Sequence, residues 1–432
     1  MKTNTLLVLL FTTLLVRAEQ APESGDASAL LSLGEVTRLV LENNPAIQQA
    51  LRKWNAARAR VAQEVTWDDL KVSGNSRAAR FVDVAPNSFS DQIVSVEQVV
   101  PITGKNLTRG RVATANALAV FEQARREQLN VLAEARTSYF RLLNANAQLR
   151  LNRKNLTSLR QIAEVSRSRY EVGKANAADA LAAELEASKL LESEQDIARN
   201  ISAEQSQLNV LMNRDAFSPL NTSDDAEVAT LRWSMDEARR RMLGNRPEIK
   251  MAQAKIDMEK SRLNLARRNW IPDPAVTVQA QRYDDSRQAA SEIDAGVSFT
   301  VPWLNPGKYS AAIREAKENL AAEEQAFERT NAESLGELRN VLQKVHTAKH
   351  HVDLFRDKLV PQARQAFEAN QFSYESGKAT FLDWITAQRN LRDIEAMEQQ
   401  HIADYRVALA ELEAVVGADL KIFPAARPKE AK

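Results

Sequence analysis

Two hydrophobic periods divide this chain into blocks. From Ile293 to Val301, apolar Ile293, Ala295, Val297, Phe299 and Val301 alternate with Asp294, Gly296, Ser298 and Thr300. That is the period-two pattern of a strand with one apolar and one polar face. Val276, Val278 and Ala280 alternate likewise with Thr277, Gln279 and Gln281. Val94, Val96 and Val100 make a third set, with Gln98 as its exception. The stretch KVSGNSRAARF alternates weakly and is assigned as a strand from its counterpart later in the chain. The pattern predicts two hairpins, strands 70–81 with 91–101 and 274–283 with 291–301, joined by short polar turns. Elsewhere the period is helical. Helices are expected over 33–66 and 234–269, over two very long spans, 105–171 and 307–375, and over two returning spans, 178–213 and 380–416. In the long spans Leu142, Leu149, Leu156, Ala163 and Tyr170 recur every seven positions. So do Leu338, Val345, Val352, Leu359 and Ala366, with Val341, Ala348, Phe355 and Ala369 on the offset seam. This is coiled-coil patterning, so each long helix should pair antiparallel with its returning helix.

The blocks occur twice in one order. YEVGKANAADAL and YESGKATFLDW place Tyr170 and Tyr374, Gly173 and Gly377, Lys174 and Lys378, and Asp179 and Asp383 each 204 positions apart. Glu35, Asn43, Pro45 and Ile47 recur 202 positions on as Glu237, Asn245, Pro247 and Ile249. Pro101 and Pro302 are 201 apart, Gly104 and Gly307 203 apart. The expected organisation is a signal peptide (1–18), a first repeat (19–213), a polar linker (214–230), a second repeat (231–417) and a C-terminal tail (418–432). The glycines sit where long helices reverse, at turns 171–177 and 376–379, because glycine past a helix end takes positive φ without a steric penalty.

Composition narrows the function. With 58 basic and 57 acidic residues, no net field points to nucleic acid. With no cysteine there is no disulfide, no thiolate metal site and no lipid-anchored N-terminus of the lipoprotein type. Lys2 followed by the apolar run Leu6–Val16 reads as a secretory leader. No later window is long and apolar enough for a membrane helix. Strands of about 10 residues do match the length that crosses a bilayer at a tilt. Trp67, Trp270 and Trp303 sit at strand ends, where tryptophan suits a membrane interface. Four strands cannot close a barrel; three chains would pool twelve.

These features together resemble the TolC-like outer membrane efflux proteins. The resemblance is carried by the duplicated order, the NxP of each first helix, PITGK and PWLNPGK after the second strands, and the two Y-x-x-G tips. It covers about 31–417. It implies a mainly α fold with a small β part: a homotrimer whose twelve strands form an outer-membrane β-barrel, continued by a long periplasmic α-helical barrel. It implies a periplasmic adaptor and an inner-membrane pump as partners, outer-membrane lipid around the strands, and no cofactor or enzymatic activity. Tyr374 matches a tyrosine that holds closed tips shut, Asp179 its acidic partner, and Asp383 an acidic constriction; Ala379 and Thr386 depart from the pattern. Tyr170, Gly173, Lys174, Gly377 and Lys378 are expected at the turns and in adaptor docking. Four residues into the returning helix is late for a cap, so Asp179 and Asp383 are expected to act in gating.

His346, His350 and His351 place two imidazoles on one helical face, which is part of a metal site without a third ligand. The TGK of Thr103–Lys105 lacks the earlier glycine of a phosphate loop. Three functions remain open: an efflux conduit for small molecules or metal ions, with a weak lean to the cobalt–zinc–cadmium branch; a conduit for protein secretion; and a periplasmic coiled-coil scaffold.

Overall fold

The computed structural model describes residues 30–77, 90–223, 233–283 and 288–417. The expected signal peptide, the C-terminal tail and the end of the first expected strand lie outside them. In chain order the elements are β1 (Leu30–Leu31), α1 (Leu33–Asn43), α2 (Pro45–Val65), β2 (Lys71–Arg77), β3 (Ser90–Val99), α3 (Lys105–Glu171), α4 (Ala177–Leu211) and β4 (Asn221–Thr222). They continue with α5 (Met235–Asn245), α6 (Pro247–Arg268), β5 (Ala275–Arg282), β6 (Glu292–Ser298), α7 (Pro306–Leu354), α8 (Val360–Glu375) and α9 (Phe381–Val416).

Two prolines break what periodicity reads as single helices. Pro45 and Pro247 stand at the first turn of α2 and α6, where a missing N–H costs nothing. The residue before each proline is pushed to extended φ/ψ, and Asn44 and Arg246 are so. The broken ends are then joined to other helices. Asn44 Nδ2 donates to the Leu211 carbonyl at the end of α4 (2.8 Å), and Arg246 Nη1 to the Val415 carbonyl at the end of α9 (3.4 Å). In each case a side chain takes up a carbonyl that the helix end leaves unpaired. So α2 continues the line of α4, and α6 that of α9. Both α2 and α4 pack on α3; α6 packs on α3 and α7, and α9 on α3, α7 and α8. The cross-section is four helical lines, α2/α4, α3, α6/α9 and α7/α8, with α3 alone about 100 Å long at 67 residues.

Around these joints lie two cores. One gathers Val36, Val40, Ile47, Leu142, Leu208 and Met212; the other Met242, Leu342, Val345, Tyr405 and Leu412. The expected linker is not merely a connection. Leu220 is buried, and Asn221–Thr222 pairs in parallel with Leu30–Leu31. Tyr139 Oη ties both segments to α3 by donating to the Leu31 and Ser223 carbonyls.

The expected single helix 307–375 is interrupted. Phe355–Leu359 forms a π turn between α7 and α8, with the Val360 N–H bonded to the Phe355 carbonyl. Pro361 follows, and it can neither donate nor accept a carbonyl in its ring's path, so the ladder must loosen before it. The inserted residue moves the heptad seam by one. Leu338, Val345 and Val352 are buried as expected, but beyond the turn the seam runs through Val360, Phe367 and Tyr374, and Ala366 and Ala369 are exposed.

The four long strands form one antiparallel sheet in the order β2-β3-β5-β6. Its register puts Val72, Val96, Val278 and Ala295 in one row, and Gly74, Val94, Ala280 and Ile293 in the next. One face is therefore apolar and open to the surroundings, with Ile293 71% and Val72 67% exposed. The other carries Lys71–Glu97 (3.0 Å) and Ser73–Ser95 (2.7 Å). Gln98, the exception, sits at the end of this sheet and bonds the Asp68 carbonyl (2.8 Å). Below the sheet the TGK segment grips the second repeat. Asp273 Oδ1 accepts from the Thr103 N–H (3.1 Å) and hydroxyl (2.7 Å), and its Oδ2 lies 3.2 Å from Lys105 Nζ. Arg268 donates to the Thr103 carbonyl.

This clasp is largely sheltered, and hydrogen bonds to a charged group contribute about 1.5–3 kcal/mol. Asp273→Ala should destabilise the folded chain by about that amount, and Asp273→Asn by less, in thermal unfolding followed by circular dichroism.

Candidate functional site at the helical tips

Both hairpin tips are built by the same local chemistry. Past α3, Gly173 has φ +71°, its N–H bonds the Tyr170 carbonyl (2.9 Å), and the Lys174 N–H bonds the Arg169 carbonyl (2.8 Å). Past α8, Gly377 has φ +77°, with N–H bonds to Tyr374 (3.0 Å) and, from Lys378, to Ser373 (2.8 Å). This double bond across a left-handed residue ends a helix and reverses the chain. Asn176 and Thr380 then cap α4 and α9. Tyr170, Lys174 and Lys378 project outward and are exposed, as an interaction surface requires.

Asp383 is placed otherwise than expected. It is the third residue of α9, and its Oδ2 accepts from the Thr380 N–H (3.0 Å) and hydroxyl (2.7 Å), while its own N–H donates to Thr380 Oγ1 (3.3 Å). This is a capping box, so the position is not too late for a cap. The two Thr380 hydrogen bonds hold its carboxyl below the usual range. The side chain is fully exposed, leaving Oδ1 toward solvent. Asp179 is the equivalent third residue of α4, half-buried, with its N–H on the Asn176 carbonyl (3.1 Å).

Tyr374 and Asp179 are not brought together within the protomer. Tyr374 is only 4% exposed, stacked on Trp384 (5.0 Å between centroids) and edge-on to Phe381. Its hydroxyl is buried without a hydrogen-bond partner among the described residues, as is Trp384 Nε1. The shifted seam puts it there; Tyr170, on the uninterrupted seam of α3, is exposed.

The residue that sequence reasoning missed is Arg169. Its Nη1 donates to the Tyr374 (2.6 Å) and Glu375 (3.0 Å) carbonyls, and its guanidinium lies 4.7 Å over the Tyr374 ring. A cation thus caps the C-terminal carbonyls of α8 from the other hairpin. A signal was present: the two tips match at tyrosine, glycine and lysine but differ just before the tyrosine, Arg169 against Ser373.

Further up, Glu186 is buried between α4 and α9, with Lys189 (2.7 Å), Arg389 (2.8 Å) and Arg392 (3.8 Å). Burial pushes its carboxyl up, but the Lys189 and Arg389 hydrogen bonds outweigh this and hold it below the usual range. Of the histidines, His346 and His350 are exposed on α7, and His351 instead meets His401 of α9, 4.8 Å between rings. Burial and His351 push His401 down. Among the described residues no group of three metal-ligating side chains converges.

The family model described as outer membrane efflux protein matches residues 36–214 and again 238–418. The cobalt-zinc-cadmium resistance protein CzcC of Cupriavidus metallidurans is 22% identical over 273 residues, which are 61% of this chain and 62% of that relative, so the match spans less than two thirds of its length. The toluene efflux pump outer membrane protein TtgF of Pseudomonas putida is 22% identical over 86% of this chain and 79% of its own. Among solved structures, the outer-membrane channel OprN superposes with a TM-score of 0.78 at 16% identity, covering 91% of this chain and 93% of that one.

Lowered carboxyl pKa values make the tips acid-sensitive. The contributions of Asp383 and Glu186 are complete above their ordinary values of 3.8 and 4.5 and are lost as pH falls below these through the lowered folded-state values. Protection of the tip-helix amides, relative to their intrinsic exchange rate at each pH, should therefore fall on acidification, and Asp383→Asn should flatten that dependence at the start of α9. Tyr374→Phe removes only an unpartnered hydroxyl. Its thermal stability should match the parent or exceed it by about 1 kcal/mol, whereas loss of that stability would mean the hydroxyl has a partner.

Proposed function

The chain belongs to the outer membrane efflux protein family, and from that premise we propose that three copies close into one conduit from the periplasm to the exterior. The observation that carries this reading is the sheet: among the described residues, four antiparallel strands with one exposed apolar face and two outer edges without a partner strand. In hydrocarbon such edges leave backbone groups unpaired, and closure with further copies removes them. Twelve strands make an even-numbered barrel of known size, polar inside and apolar outside. The four helical lines hang from the strands in matching order, so the same closure extends the tunnel by about 100 Å. The open helical edges are α2/α4 on one side and α7/α8 on the other.

In this reading the tips are the periplasmic gate. Asp383 of three copies would ring the entrance, each with one carboxylate oxygen engaged by Thr380 and the other toward the lumen, which favours cations. Arg169, by capping α8 from the first hairpin, holds the two hairpins of a protomer as one unit. Exposed Tyr170, Lys174 and Lys378, with the turn glycines Gly173 and Gly377, present the surface for a periplasmic adaptor, itself joined to an inner-membrane pump. One relative is named for cobalt, zinc and cadmium and another for toluene. That pairing supports a conduit whose cargo, small molecules or metal ions, is selected by its pump and not by its own wall.

Planar-bilayer recording of the detergent-purified mature protein tests the proposal. Discrete cation-selective channels whose selectivity weakens in Asp383→Ala are expected. Channels with unchanged selectivity would remove Asp383 from the constriction. Protein that stays soluble without detergent and forms no channels would replace the conduit by the coiled-coil scaffold.

A further inference from the structure

The chain has four histidines, and all of them lie on one hairpin: His346, His350 and His351 on α7, and His401 on α9. Spacing alone pairs His346 with His350, but both are exposed on a single helix. The fold makes a different pair. His351 and His401, 50 positions apart in the chain, are half-buried and bring their rings to 4.8 Å between centroids at a tilt of 53°. Phe355 also packs edge-on against His401, with 4.6 Å between ring centroids. His351 and Phe355 are one turn apart on α7, and the Phe355 N–H bonds the His351 carbonyl. Phe355 is also the first residue of the π turn. His401 is thus held against the point where the second long helix is interrupted.

We propose that His351 and His401 form a binding site for one divalent transition-metal ion, which staples α7 to α9 beside the π turn. Imidazole is a ligand that suits zinc, copper and nickel, whereas magnesium and calcium take oxygen. Two imidazoles on one tetrahedral ion, at metal–nitrogen distances of about 2.0–2.1 Å, place their ring centroids about 5 Å apart. The observed separation already meets this. Neither imidazole makes a hydrogen bond or an ion pair among the described residues, so no protein group there competes for the ring nitrogens. No third ligating side chain converges among the described residues, and water completes the coordination.

The charges around the pair do not oppose a cation. On α7, Lys349 is matched by Asp353 (2.6 Å). On α9, Asp404 lies one turn after His401 and favours positive charge there, and Glu398 lies one turn before it, balanced by Arg356 of the π turn and Arg364 of α8. Burial and the neighbouring His351 hold His401 below its ordinary value, so this ring is offered neutral, as a metal ligand must be. The site lies within one protomer and stands apart from ring closure. Its consequence is mechanical. The hydrogen-bond ladder is loosest at the π turn, and an ion there ties that turn to the returning helix, stiffening the line that leads down to Tyr374.

The chain has no cysteine, so no thiolate competes for the added ion. Protein without a histidine tag, purified in detergent and stripped with a chelator, is titrated with zinc by calorimetry. One ion per protomer is expected. His351→Phe and His401→Phe each keep a ring in place and remove its nitrogens, and each should lose that binding; His346→Ala/His350→Ala should keep it. Binding retained in either phenylalanine variant, or lost in the alanine pair, would overturn the proposal, as would the absence of binding in the parent chain. Copper bound to the parent should show two nitrogen ligands in electron paramagnetic resonance, and a single nitrogen would overturn the shared site. Zinc should also raise hydrogen-exchange protection over 355–359 in the parent and leave it unchanged in His401→Phe. Binding without that gain in protection would overturn the staple.

Discussion

A strand edge in hydrocarbon is the constraint from which the remaining architecture follows. Water satisfies an unpaired backbone N–H or carbonyl; lipid cannot. The chain presents four strands, an apolar face and two open edges, β2 and β6. If other copies close those edges, as proposed above, the helices beneath have little freedom: they must leave the sheet in strand order and at strand spacing. The observed order of helical lines repeats the order of the strands, and the Asp273 clasp pins the crossing from sheet to helix in the middle of the protomer.

Length creates the second demand. The strand that enters each repeat is preceded by one helix and the long helix is followed by another, and neither α2 nor α4 is long enough to line α3 alone. Joining α2 to α4, and α6 to α9, solves this with polar side chains at helix ends. Asn44 does it by a neutral hydrogen bond, while Arg246 does it with a cation that also meets Glu248 (3.1 Å) and Glu337. The same structural place is thus filled by different chemistry in the two copies, so residue identity carries the repeat at Pro45 and Pro247 but not at the joint just before them.

The copies also diverge near the tip. The first long helix is continuous, and the second carries a π turn ahead of Pro361. That single extra residue rotates the last turns of α8, buries Tyr374 among Phe381 and Trp384, and leaves Tyr170 outside. Arg169 then spans the two hairpins. A pseudo-symmetric tip has become an asymmetric one, with one face packed inward and the other offered outward.

The sequence by itself determined the elements, their duplication, the two tips and the sheet with its apolar face. Each of these rests on local periodicity or on a glycine whose φ no other residue adopts easily, and such signals need no knowledge of distant contacts. It also pointed to the efflux family through motifs at those same places. What it misassigned depended on contacts far along the chain or on one-residue phase. Single helices over 33–66 and 234–269 ignored what proline does to its predecessor. The seam through Leu359 and Ala366 assumed an unbroken ladder. Asp383 was set aside as a cap because the start of α9, and not the glycine, defines the capping position. Only the tertiary structure decided that Arg169 reaches the carbonyls of α8, that Thr103 and Lys105 clasp Asp273, and that Tyr374 faces inward. Those partners of Arg169 and Thr103 lie 170 to 206 positions away, and a hydrogen bond over that separation exists only once the helices are packed side by side.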